Sequence, residues 1–131
     1  IRGPIVPFLK MLQKYPEYEQ EVKVPEKVWP LRIWYMYDQD VCTLIDVNER
    51  ERKVKIKNYT DKIMFRAFGV MEEPDYNQYI EFLESRCFPE SRDKMKLILK
   101  DLGLPFYDPI MIIEKTEGRM AEDDFWIRIE R

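Results

Sequence analysis

The 131-residue sequence has no histidine and only four glycines and two cysteines. Missing histidine removes both the commonest acid/base group and the commonest zinc ligand. Ser85, Ser91 and the three threonines therefore have no imidazole to activate them. Gly3, Gly69, Gly103 and Gly118 never cluster, so no glycine-rich loop is available to cradle a phosphate. Cys42 and Cys87 are too few for a disulfide scaffold and too far apart for a zinc or redox motif. They read as half-buried thiols in a reducing cytoplasm. No apolar run approaches the roughly 20 residues of a membrane helix, and no signal-peptide core is evident. These absences argue against a metalloenzyme, a membrane protein and a catalytic-triad hydrolase, and they imply no cofactor.

Rings and hydrocarbon are abundant. Hydrophobic residues make up 45% of the chain and aromatics 14%, which argues against disorder and in favour of one packed domain. Twenty-two basic residues face 25 acidic ones, a formal charge of −3. That balance disfavours bulk electrostatic binding to nucleic acid or to an anionic membrane.

Three regions differ in pattern. Residues 1–30 are punctuated by Pro4, Pro7, Pro16, Pro25 and Pro30. Phe8, Leu9, Met11 and Leu12 have the spacing of a short helix that must end before Pro16. The acidic stretch Glu17, Glu19, Glu21 alternates with Tyr18 and Val22, as in an arm that packs on the body or on a neighbour. From Leu31 the pattern becomes β: Leu31 to Tyr37, Val41 to Val47, Lys53 to Lys57 and a fourth run, Ile63 to Phe68, ending at Gly69. Short connections favour an antiparallel meander.

The remainder reads as helical. Asp75 and Gln78 form a capping-box pair before Tyr76, Tyr79, Ile80 and Leu83. Ser91 is expected to cap a second helix carrying Met95, Ile98, Leu99 and Leu102, which Gly103 stops. Asp108-Pro109 opens a third, with Ile110 and Ile113, ending near Gly118. Glu122 to Glu130 is ambiguous: Glu122, Asp123 and Asp124 suit a helix start, whereas Phe125, Ile127 and Ile129 alternate like a strand. The fold expected is α+β: a small antiparallel β meander (31–69) followed by a three- to four-helix subdomain (70–131), with an N-terminal helical arm (1–30).

Three constellations bear on chemistry. Between Arg50 and Arg66, seven basic residues face two acidic ones. Arg52, Lys53, Lys55 and Lys57 present a basic strand face that suits a phosphate backbone, and equally suits an edge strand protected against pairing. Glu122, Asp123 and Asp124 stand beside Trp126. Consecutive carboxylates on one element rarely converge on one ion, so a solvated cap is the simpler account and no metal site is assigned. Arg86, Arg92 and Arg119 flank the turns between the helices, where guanidinium forks serve structural pairing or partner binding. A buried Trp126 would make Trp126→Ala cost about 3–5 kcal/mol, and an exposed one would leave it near neutral.

The order Arg86, Pro89, Arg92, then Leu102-Gly-Leu104, Asp108-Pro109 and Gly118 to Trp126 resembles a recurrent small domain of Gram-positive gut bacteria. The resemblance spans about residues 56–129 and includes Lys57 to Asp61. Such domains occur in short proteins of mobile elements and next to HipA-type toxin kinases. The kinase itself and its nucleotide-binding loops have no counterpart here. The resemblance implies a cytoplasmic, non-enzymatic regulator that docks on a larger bacterial protein, antitoxin-like or anti-defence in role. Arg86, Arg92, Arg119, Asp123, Asp124 and Trp126 are the candidate partner-binding residues. A nucleic-acid-binding module using Arg52, Lys53, Lys55 and Lys57 is the alternative, a metal-dependent enzyme using Asp123 and Asp124 a third, and the oligomeric state stays open.

Overall fold

The computed structural model describes residues 24–131 and, ahead of them, a two-residue strand, β1 (Val6–Pro7). The arm helix expected around Phe8 to Leu12 and the acidic stretch after Pro16 lie outside the described residues. The chain is α+β. β2 (Leu31–Tyr37), β3 (Asp40–Asn48) and β4 (Lys53–Asn58) form the expected antiparallel meander. Asp38 enters the β2–β3 hairpin with φ at 55°, a conformation that aspartate tolerates better than most residues. Asn48 shapes the next turn by accepting the Glu51 N–H on its side-chain oxygen at 3.1 Å.

A bulge interrupts β3. Tyr35 pairs with Thr43 and Met36 with Val41, so Cys42 is an extra residue without a partner on β2. Beyond it the two faces separate cleanly. Leu31, Ile33, Tyr35, Ile45 and Val47 join the core under the helices, while Trp34, Met36, Val41 and Leu44 are buried on the opposite face. Burial on both sides explains why β2 and β3 read as nearly continuous apolar runs.

The fourth expected strand is not one. Ile63–Phe65 is a single 3-10 turn followed by further turns to Val70. Its polar groups are satisfied locally rather than by a ladder. Thr60 accepts the Lys62 N–H on its hydroxyl and the Arg66 Nε on its carbonyl, and the Thr43 hydroxyl accepts the Ala67 N–H. Phe65 and Phe68, three apart, both reach the core, which a strand's period of two forbids.

α1 (Tyr76–Ser85) begins with the expected reciprocal capping box, Asp75 to Gln78, both bonds at 2.8 Å. α2 (Met95–Leu102) starts later than Ser91. Its N-cap is Lys94, in the left-handed region at φ 61°, and no side chain caps it. The Arg92 N–H closes a turn on the Pro89 carbonyl at 3.0 Å, so the chain turns once at 89–92 before the helix begins. Gly103, at φ 74°, stops α2, and the Leu104 N–H returns to the Leu99 carbonyl at 2.8 Å. α3 (Pro109–Thr116) has Asp108 as N-cap and proline at its first position.

The ambiguous C-terminal segment is a strand, β5 (Phe125–Glu130), antiparallel to β2. There are three helices among the described residues, and the last part of the expected helical half belongs to the sheet. The sheet order is β4-β3-β2-β5, with β1 adding to β3 at Asp40 and Val41 beyond the end of β4. α1 and α3 cover one face, where Tyr79, Phe82, Leu83, Ile110 and Ile113 meet Ile33, Ile45 and Ile127. Each such side chain contributes roughly 1.5–3 kcal/mol on full burial.

Candidate functional site

Four of the six expected partner-binding residues, Arg86, Arg92, Arg119 and Asp123, gather at one corner, where the end of α1, the end of α3 and the loop entering β5 meet. Arg86, Arg92 and Arg119 line a cavity of about 340 Å³ there, floored by Ile112 and Pro89. The corner is built around Arg86, which is only 6% exposed. Its Nε donates to the Gly118 carbonyl at 3.0 Å, and its Nη2 to the Phe125 carbonyl at 3.0 Å. Nη1 and Nη2 grip both oxygens of Asp123 at 3.0 and 3.1 Å. Asp123 is held below the usual carboxylate range, first by the Arg86 hydrogen bonds and then by the Phe125 N–H.

Arg86 and Asp123 are thus spent on each other and on the loop. They pin α1 to β5, a structural role that their residue types alone did not indicate. A charge inside a protein needs such pairing, because desolvation would otherwise penalise it by several kcal/mol. Arg119 sits outside. It pairs with Glu117 at 2.8 Å and stacks on Trp126, its guanidinium 5.0 Å from the ring. Arg92 is exposed, 5.7 Å from the Phe88 ring, with no carboxylate partner among the described residues.

Trp126 is neither core nor free. Its ring is half-buried on the face opposite the helices, and its indole N–H donates to the Asp38 carbonyl at 2.6 Å. Trp126→Ala is therefore expected to cost about 1–2 kcal/mol, less than a fully buried ring would, as read by urea denaturation. Asp124 is exposed and contributes its carbonyl, which accepts the Asp38 N–H at 3.1 Å. Its carboxylate does not converge with that of Asp123. Among the described residues no three acidic, cysteine or histidine side chains are grouped to hold a metal.

The basic strand is engaged within the chain. Lys53 pairs with Glu51 at 3.4 Å, and Lys55 lies over Trp29 with its ammonium 4.8 Å from the ring. Lys57 is half-buried, 5.5 Å from the Tyr59 ring, and Arg52 stacks on Tyr76 at 4.7 Å. Lys53 and Lys55 still present their side chains to solvent. Burial pushes Cys42 up to about 12, and burial also raises Cys87, which lies 3.6 Å from the Tyr107 hydroxyl.

Comparison with protein-family models, with curated proteins and with solved structures finds no match. No helix among the described residues is long and apolar enough to cross a membrane.

The most exposed apolar surface is one that pattern reading missed. Between β4 and α1, Ile63, Met64, Val70 and Met71 are exposed by 48, 83, 73 and 37%. They belong to one compact loop. A Cβ on Gly69, at φ 58°, would stand 3.7 Å from Ile63 Cγ2, so the two ends of the loop touch. Phe65 and Phe68 anchor it from below, Phe65 against Tyr37 and Phe125 and Phe68 against Phe82. The result is a loop held to the core by two rings, with Ile63, Met64, Val70 and Met71 exposed on it. The signal in the sequence was the crowding of apolar residues from Ile63 to Met71, too dense for one buried face of a short strand.

Proposed function

We propose that the protein is a non-enzymatic, protein-binding regulator that docks on a larger protein through the loop 63–71. The single observation that carries this reading is the anchored loop on which Ile63, Met64, Val70 and Met71 stand exposed. Four exposed large apolar side chains within nine residues of chain are a feature that a docking partner would cover. β4 leads its lysines into this loop and Lys62 stands at its edge, with Glu72 and Glu73 at the far end. The partner surface that fits is an apolar groove with acidic residues beside the lysine end. The resemblance to small domains of mobile elements motivates the finer role, an antitoxin-like or anti-defence inhibitor of a bacterial locus, acting in the cytoplasm.

The test is affinity capture from lysate of the source cell, with and without nuclease, using the wild type and the double variant Met64→Asp/Val70→Asp. Both positions are exposed, so the variant should retain its fold with stability changed by no more than about 0.5 kcal/mol per site. A protein captured by the wild type and lost by the double variant is the expected result. Equal capture by both would sink the loop as the docking surface. Capture that disappears with nuclease, and with Lys53, Lys55 and Lys57 changed to Glu, would favour nucleic acid on the basic strand instead.

A further inference from the structure

The two edges of the sheet differ. At the β5 edge, main-chain groups that face away from β2 are occupied. The Ile127 N–H donates to the Glu117 carbonyl at 2.7 Å, and the Phe125 carbonyl accepts from Arg86 at 3.0 Å. At the other edge β4 pairs with β3 alone, and β1 meets β3 only at Asp40 and Val41, past the end of β4. The Tyr59 N–H donates to the Cys42 carbonyl at 2.8 Å, one register step beyond the Thr43–Asn58 pair. Hydrogen-bonded pairs alternate along an antiparallel ladder. Lys53, Lys55 and Lys57 therefore bond to β3 through their main chain, and Val54 and Ile56 turn theirs outward. Among the described residues no hydrogen bond reaches those outward groups.

The two faces of β4 also differ in chemistry. Val54 and Ile56 are half-buried on the helix side, where they pack against the core. Lys53 and Lys55 are exposed on the other side, with Lys57 half-buried in line with them. A strand laid along β4 has the same period of two. Its residues beside Val54 and Ile56 gain by being apolar, and those beside the lysines by being acidic. The Lys53–Glu51 pair is more than half exposed at both ends, so exchanging it for another carboxylate costs little. A second copy of β4 would set lysines against lysines, which is repulsive. Nucleic acid would meet the lysines but leave the outward main chain of Val54 and Ile56 without strand pairing.

We propose that β4 accepts an extended segment of a partner protein as an added strand, with acidic residues facing the lysines and apolar residues between them. Main-chain hydrogen bonds at Val54 and Ile56 supply the pairing, and the lysines select the charge of the incoming strand. This edge is separate from the loop 63–71, and the inference does not rest on docking there.

The test is a titration of the ¹⁵N-labelled full chain with the peptide acetyl-Glu-Val-Glu-Val-Glu-Val-Glu-amide, read by amide chemical shifts and hydrogen exchange. Saturable binding with Kd below about 1 mM is expected, with slowed exchange at the Val54 and Ile56 amides. The same peptide N-methylated at its valines keeps its charge but loses the donors that face β4, and should not bind. Lys53→Glu/Lys55→Glu should weaken the acidic peptide at least roughly tenfold and admit its lysine analogue, acetyl-Lys-Val-Lys-Val-Lys-Val-Lys-amide. Gain of the lysine peptide shows that the variant is folded. Absence of saturation, equal affinity for the N-methylated peptide, or unchanged affinity in the double variant would overturn the proposal. Decathymidylate binding these amides more tightly than the acidic peptide would also overturn it, and would assign the lysines to nucleic acid.

Discussion

Arg86→Ala is expected to destabilise the protein by about 2–3 kcal/mol, because it strips two backbone carbonyls and the partly exposed Asp123 carboxylate of a charged donor. The substitution deletes four hydrogen bonds at once, two to Asp123 and two to the Gly118 and Phe125 carbonyls. It leaves those carbonyls and the Asp123 carboxylate at the join between α1 and β5 without their main partner. The pair also sets a pH response. Asp123 has a lowered pKa in the folded state, so its contribution is complete above the unfolded value of about 3.9. It is lost as pH falls through the folded pKa. Thermal melts from pH 7 down to pH 2 should show this loss in the wild type and a shallower one in Asp123→Asn. A wild-type-like melting temperature for Arg86→Ala at pH 7 would refute the clamp.

Ile127→Ala is expected to cost about 3–4 kcal/mol by urea denaturation, near the middle of the range for deleting a buried branched side chain. Ile127 is 2% exposed, on β5, opposite Tyr35 of β2. Its N–H donates to the Glu117 carbonyl at 2.7 Å, tying the strand to the end of α3. Its side chain also fills the space beside Gly118, where an added Cβ would stand 3.1 Å from Ile127 Cδ1. Gly118 has φ at 62°, so glycine is required there for both conformation and room. The site is packed from three sides and has little freedom to collapse around the missing atoms. A cost below about 1 kcal/mol would mean that β5 is not an integral strand.

Local chemistry explains which elements were legible in advance. Asp75 with Gln78, Asp108 with Pro109, and Gly103 with Leu104 carry their information within a few residues, and each forms the cap or stop that its residues encode. The strict alternation of Val54 and Ile56 with lysines likewise marks β4. Ser91 failed as a cap because the competing turn from Pro89 to Arg92 used the backbone first. Ile63 to Phe68 failed as a strand because Phe65 and Phe68 both turn inward. Of the expected binding residues, Arg119 stacks on Trp126 and shares a cavity lining with Arg92. Arg86 and Asp123 were chosen for their chemistry, but chemistry alone does not say whether a guanidinium faces a partner or its own chain.

The amino-acid sequence by itself determined the α+β class, the order of the meander and helices, and the absence of histidine. Those properties depend on residue type and on periodicity over short windows, where backbone sterics and apolar spacing dominate. Tertiary structure alone decided that the last segment returns as β5 beside β2 and that Arg86 meets Asp123. It also turned Ile63, Met64, Val70 and Met71 outward. Each of these depends on contacts between residues far apart in the chain, whose energies exist only once the sheet and helices have packed.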